Sequence, residues 1–280
     1  MEENTIGKIQ FIERKITTKS SDPVRRKTFA EVISPVNNTH ITNASRIKRF
    51  LTDLLFPRRC PVCGEIVIPK GAFICPSCVK KLSPVHQPVC LKCGKELESD
   101  RMEFCYDCTR HHRSFERNLA LLNYNDTASR SMSAIKYKNK REYLDFYSEA
   151  LWLRFGRQIH FWNPDLFVPV PIHPTRRKIR GFNQAEVLAE KLSKKSGIPV
   201  CGGALKRIRK TAPQKTLDSS ARFHNLEQAF GPGSIPKGTK RVLLVDDIYT
   251  TGSTMEACTR ILLKMGVEQV YGLTVCIGKN

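Results

Sequence analysis

Residues 242–254 read VLLVDDIYTTGST, and this stretch decides the fold. The four apolar residues Val242 to Val245 form a buried strand, and Asp246 and Asp247 sit where that strand should end. The turn from Thr250 through Thr251, Gly252, Ser253 and Thr254 then opens a helix. Two carboxylates placed in this way can hold ribose hydroxyls and a magnesium ion, while backbone N–H groups of the turn cradle a phosphate. Gly252 lets the backbone approach that phosphate, and the neighbouring hydroxyls add donors. A helix beginning near Ser253 presents its positive end to the same place. The plainer reading is a capped helix after a buried strand, which the apolar run and the acidic pair together disfavour.

Outward from this stretch, strands and helices alternate from about residue 115 to the end. Strands are predicted at 117–124, 165–172, 241–247 and 269–277. Helices are predicted at 141–159, 183–197 (with Gly197 as C-cap) and 253–266. Such repetition predicts an α/β fold with a parallel sheet, whose ligands bind beyond the carboxyl ends of the strands. The segment FVPVPIHPTRRKIRGFNQA (167–185) lies upstream. Its Arg176, Arg177, Lys178 and Arg180 are placed to neutralise a leaving pyrophosphate, with Arg176 and Arg177 assigned to catalysis beside Asp246 and Asp247. The basic, aperiodic segment 205–226 reads either as a lid that excludes water or as a solvated loop.

The cysteines carry the second signal. Cys60/Cys63, Cys75/Cys78, Cys90/Cys93 and Cys105/Cys108 are four C-x-x-C pairs, each starting fifteen residues after the last. Two such knuckles complete a tetrahedral thiolate shell, so the array predicts two structural zinc ions. Gly64 and Gly94 follow the first and third pairs, which makes the array a two-fold repeat of about thirty residues. This favours tandem sites, one on Cys60, Cys63, Cys75 and Cys78, the other on Cys90, Cys93, Cys105 and Cys108, each bridging a hairpin such as EIVIPKGAFI; a cross-braced pairing is the alternative. His86, His111 and His112 read as spare, exposed imidazoles, and Cys201, Cys258 and Cys276 as buried inert thiols.

Length and charge bound the rest. A chain of 280 residues supports one substantial core plus smaller modules. The domains are expected at 1–44 (a flexible basic tail), 45–112 (a leader helix and the double ribbon) and 113–280. The leader helix is read from Ile47, Phe50, Leu51, Leu54 and Leu55 at helical spacing, with Ser45 as cap and Pro57 as stop. No apolar window is long enough to span a membrane, and the first ten residues hold no secretory h-region, so a cytoplasmic protein is expected. Net charge is +21, and residues 151–240 hold 17 Lys/Arg against 5 Asp/Glu. This is either a solubilising face or a field for polyanions, nucleic acid or pyrophosphate. Phe182, Tyr249 and Phe223 are the aromatic candidates for stacking bases, although each also fits a core position.

Residues 242–254 match the phosphoribosyl pyrophosphate (PRPP) motif of type I phosphoribosyltransferases. With the paired ribbons, LLFPRRCPVCG and VPVPIHPTRRKIRGFNQAE, the chain resembles the ComF family of competence proteins over roughly 48–278. The tail before that span has no counterpart in the family pattern. The resemblance implies a double zinc ribbon fused to a phosphoribosyltransferase domain that acts in DNA uptake and transformation. It further implies that Asp246 and Asp247 engage the ribose 2′- and 3′-hydroxyls, that Thr250 to Thr254 hold the 5′-phosphate, and that Mg²⁺ accompanies PRPP. Single-stranded DNA and a helicase-like partner follow from the same resemblance. Two function classes therefore stand side by side: Mg-dependent transfer of ribose 5-phosphate from PRPP, and a non-catalytic nucleic-acid-binding scaffold. Nucleotide salvage is weaker, because the sequence offers no base-recognition segment and the zinc module is foreign to salvage enzymes.

Overall fold

The computed structural model describes residues 57–69, 71–209 and 228–278. The leader helix, the tail, Phe223 and most of the expected lid fall outside them. The sheet holds four strands, β1 (Asn118–Asn123), β2 (Leu166–Pro169), β5 (Arg241–Tyr249) and β6 (Gln269–Ile277), in the order β1-β6-β5-β2. Every neighbouring pair is parallel. A parallel sheet needs cover on both faces, which is why Val242 to Val245 run apolar without alternation. Leu243, Val245, Leu273 and Val275 face one core, shared with α4 (Tyr143–Trp162) and α6 (Gln184–Ser196). Val242, Leu244 and Val270 face the other, beneath α7 (Ser253–Lys264). A short antiparallel pair, β3 (Leu205–Arg207) with β4 (Phe230–Pro232), stands apart from the sheet.

Two helices depart from the sequence reading. α3 (Asp126–Tyr137) was not expected; Asn125 caps it by accepting from the Ala128 N–H, and Ala128, Ser131, Met132 and Ile135 form its buried face. α5 (Pro174–Arg180) occupies the expected Pro-rich turn, with Pro at its start and Gly181 at φ 80° closing it.

The ribbons are not beads on a string. Cys60, Val67, Ala72, Ile74 and Cys78 of the first pack into the α4/α6 core, whereas Cys90, Cys93 and Cys105 of the second pack into the α7 core. The chain crosses from face to face along the edge of β1. There the Asn123 N–H donates to Ser83 O at 2.7 Å and the Val85 N–H to Leu121 O at 3.0 Å, covering an otherwise open strand edge. In each ribbon one pair forms a knuckle closed by a left-handed glycine, Gly64 at φ 80° and Gly94 at φ 79°. The other pair opens a short helix, α1 (Pro76–Val79) or α2 (Tyr106–Arg110), with Cys75 or Cys105 at the N-cap. This explains why only the first and third pairs carry glycine. The antiparallel bridges flank the knuckles, Arg59 with Ile66 and Val89 with Glu96, rather than folding EIVIPKGAFI on itself.

Candidate functional site

β5 does not stop at the acidic pair. Asp246 lies opposite Thr274, Ile248 opposite Cys276 and Tyr249 opposite Ile277, so both carboxylates sit inside the ladder. Successive strand residues face opposite sides, and the two acids therefore part. Asp247 turns to the α4/α6 face, 5% exposed, where Oδ1 accepts from Gln184 Nε2 at 3.2 Å and the carboxylate pairs with Lys136 of α3. Asp246 turns towards Cys258 of α7 and Arg207 of β3, partly exposed, and its Oδ1 accepts the Asp247 N–H at 2.8 Å.

The two carboxyls titrate apart. Burial, then the charge of Asp247, pushes Asp246 well above the usual carboxylate range. Burial also works against Asp247, but the Lys136 ammonium and hydrogen bonds from Lys136, Asp246 and Gln184 outweigh it and hold that group low. Burial likewise opposes the charge on Lys136, yet Asp247 and Asp246 raise its pKa overall. Asp246, a partly exposed carboxylate near the end of β5, is a hard oxygen donor of the kind that fits a divalent cation such as magnesium.

The turn after β5 is built to stay open. Gly252, at φ 77°, is the N-cap of α7, and no side chain caps that helix. By contrast, Asn125 and Asn183 cap α3 and α6. The first N–H groups of α7 are thus left for an anion. Thr250 and Thr251 are exposed, and the Thr251 and Ser253 hydroxyls lie 2.9 Å apart. A Cβ at position 252 would overlap the Tyr249 hydroxyl, so only glycine fits.

A strap from the second ribbon holds this turn. Arg113 Nη2 donates to Thr251 O at 2.8 Å. The Ser114 N–H and hydroxyl each donate to a different Glu256 carboxylate oxygen at 2.7 Å, and Arg260 Nε donates to that carboxylate at 2.7 Å. Phe115 stands edge-on to Tyr249 with centroids 6.3 Å apart.

The other expected residues distribute unevenly. Arg180 donates to Gln184, feels Asp247, and its guanidinium pKa is lowered chiefly by burial. Exposed Arg176 acts electrostatically on both Arg180 and Arg207. Arg177 turns to Glu186 at 2.8 Å, and Lys178 is exposed. Phe182 and Tyr249 are core residues, 5% and 4% exposed, which removes them as stacking platforms. Cys258 and Cys276 are fully buried, as expected, but Cys201 is partly exposed and donates to Ser234 O at 3.3 Å. His111 and His112 are exposed, and His86 meets Glu96 at 3.2 Å. Sequence reasoning missed Lys136 and Arg113. The i, i+3, i+4, i+7 pattern of Ala128, Ser131, Met132 and Ile135 could have revealed the helix that carries Lys136.

The cysteines assemble in tandem. All four Sγ atoms of Cys60, Cys63, Cys75 and Cys78 lie within 4.8 Å of one another, as do those of Cys90, Cys93, Cys105 and Cys108. Cys63 and Cys75 are 3.9 Å apart and Cys93 and Cys105 3.5 Å, near the roughly 3.8 Å that a tetrahedron with ~2.3 Å Zn–S bonds requires. The cross-braced pairing is thereby excluded, and the donor sets fit zinc. Among the described residues no helix is long and apolar enough to cross a membrane.

Comparison with known proteins agrees with this architecture. Residues 51–109 match the double zinc ribbon domain and residues 180–280 the phosphoribosyl transferase domain. Competence protein F of Haemophilus influenzae is 40% identical over 115 residues, 39% of this chain and 50% of that protein. The DNA utilization protein YhgH of Escherichia coli K12 is 30% identical over 165 residues, covering 58% of this chain and 72% of that protein. Competence protein ComFC of Bacillus subtilis is 28% identical over 154 residues, covering 54% and 59%.

Proposed function

Because this chain belongs to the ComF family of competence and DNA utilization proteins, we propose that it binds PRPP with Mg²⁺ and serves the handling of incoming DNA in the cytoplasm. The observation that carries the reading is the uncapped N-terminus of α7, opened by Gly252 one turn after a paired acidic motif. The 5′-phosphate sits on the first N–H groups of α7 and the hydroxyls of Thr250, Thr251, Ser253 and Thr254. Asp246 takes a ribose hydroxyl or the magnesium ion, which supplies positive charge to the pyrophosphate. Asp247, fixed by Lys136 and Gln184, orients the sugar from the other side. Arg176, Lys178 and Arg180 face the pyrophosphate, with Arg177 a reserve cation that must leave Glu186 to join them. The reaction class is transfer of ribose 5-phosphate to a nitrogen nucleophile, with C1–pyrophosphate cleavage and pyrophosphate as leaving group. Single-stranded DNA and a helicase-like motor are the partners this reading assigns.

Calorimetric titration with PRPP and Mg²⁺ tests it. Saturable heat that disappears in Asp246→Asn supports the reading; no heat at millimolar PRPP overturns it. The scaffold reading draws on the buried Lys136–Asp247 pair, which already occupies one of the two acids. PRPP binding without pyrophosphate release across a panel of nitrogen acceptors would favour it.

A further inference from the structure

Between the first zinc knuckle and α3 lies a cavity of about 410 Å³ that plays no part in the site above. Arg59, Cys63, Arg130, Lys138, Lys140 and Tyr143 are among its lining residues, so four cations surround it and no carboxylate does. Lys140 shares its charge with Glu142 at 3.5 Å. Among the described residues, Arg130 and Lys138 have no acidic partner.

The helix geometry extends this cavity into a path. Arg130, Ala134 and Lys138 recur every four residues and flank the cavity on one side of α3. Lys136, on the opposite flank, meets Asp247. Tyr137 stands between them on the solvent crest, 79% exposed, with the Arg180 guanidinium 5.7 Å from its ring centroid. Arg141 lies 4.3 Å over Phe182, beside the N-terminus of α6. Residues 130–141 hold five Lys/Arg and no Asp/Glu. An exposed ring with cations on both flanks is the pattern of a single-stranded nucleic-acid platform, in which phosphates are tracked by charge and a base stacks on the ring.

We infer that single-stranded nucleic acid crosses the crest of α3, its phosphates held by Arg130, Lys138 and Lys140 in the cavity beside the first ribbon and one base stacked on Tyr137. The inference rests on the DNA half of the proposed function and gives it an address. That address is not the Arg176–Arg177 segment, and Tyr137 replaces the buried aromatics as the platform. A tetrathiolate zinc site is formally dianionic, so these cations also balance its charge; the test separates the two roles.

The experiment is fluorescence anisotropy of the full chain with a labelled twenty-nucleotide oligothymidylate at stepped salt. Arg130→Gln/Lys138→Gln should lower the salt slope by about 1.4, two contacts at ~0.7 each. Tyr137→Ala should weaken binding about tenfold, with Tyr137→Phe restoring it. Zinc content should be unchanged in all three variants, and PRPP heat in Arg130→Gln/Lys138→Gln and in Tyr137→Phe, which keeps the ring under Arg180. If the wild type does not bind the oligonucleotide at low salt, the DNA half of the proposed function fails and this inference with it. If the wild type binds but the variants keep its affinity and slope, only the placement is overturned. Loss of zinc without loss of DNA affinity in the double variant also overturns it, because the cations then serve the metal alone.

Discussion

Arg113 of the strap donates to the carbonyl oxygen of Thr251 at 2.8 Å, across 138 residues of sequence, and so ties the end of the second zinc ribbon to the turn between β5 and α7. Arg113 is buried, whereas Thr251 is exposed at the mouth of the site. A hydrogen bond from a charged donor contributes about 1.5–3 kcal/mol.

Arg113→Met should therefore loosen the turn without unfolding the chain. PRPP affinity should fall about tenfold or more, the equivalent of ~1.4 kcal/mol. Amide exchange should quicken across residues 249–256 and stay unchanged in β1. Unaltered affinity would mean the turn holds its shape without the strap.

Asp246 sets stability against function. Its folded pKa is raised, chiefly by burial and then by Asp247, so its contribution is fully present below the ordinary carboxylate range and is lost as pH rises through the raised value. Asp247 behaves oppositely to it, whereas Lys136 shares its direction. The depressed carboxyl loses its contribution only as pH falls through its folded pKa, and the raised ammonium only as pH climbs through its own. Above the ordinary carboxylate range Asp246 is thus the member that works against the fold. Asp246→Asn should raise the melting temperature of the unliganded protein by a few degrees, about 1 kcal/mol, while abolishing PRPP binding. Thermal melts from pH 5 to 8 check this: the gain should shrink towards pH 5. A variant less stable than wild type across that range would contradict the assignment.

The strand-turn-helix of residues 242–254 and the tandem ribbons were legible because their signals are local. An apolar run, a left-handed glycine and a C-x-x-C spacing each act within a few residues. The continuation of β5 past Asp247 to Tyr249 was not, because β6 supplies the ladder partners Cys276 and Ile277 from a distant segment. That extension, by strand alternation, is what sends the two acids to opposite faces. α3 escaped because its buried face uses small residues, Ala128 and Ser131, beside Met132 and Ile135. With it went Lys136 and the exposed Tyr137. The docking of the two ribbons on opposite faces of one sheet depends wholly on tertiary packing.

The ribbons should differ in how they hold zinc. In the first, Cys63 is exposed, whereas Cys90, Cys93 and Cys105 of the second are buried under the α7 core. Zinc release to a chelating dye should be biphasic, with the first site emptying faster. Cys63→Ser should remove the fast phase, and Cys105→Ser should cost more stability than Cys63→Ser because it opens the shared core. Single-phase release of two equivalents would contradict this asymmetry.

Gly252 and Gly197 separate backbone strain from crowding. Both adopt φ 77°, so alanine at either position carries the left-handed penalty of about 1–2 kcal/mol. Around Gly197 nothing lies within 4 Å of an added Cβ, whereas at Gly252 that atom would overlap the Tyr249 hydroxyl. Tyr249 is buried against Phe115 and has little room to retreat. Gly197→Ala should therefore cost only the backbone term and leave PRPP affinity intact. Gly252→Ala should cost at least 1 kcal/mol more, since overpacking a filled site adds about 1–3 kcal/mol, and should lose phosphate binding because the first N–H groups of α7 are pushed out of line. Denaturant titrations of the two variants, paired with PRPP calorimetry, give the comparison. Equal stability losses would show that Tyr249 yields, and retained PRPP heat in Gly252→Ala would remove the turn from the site.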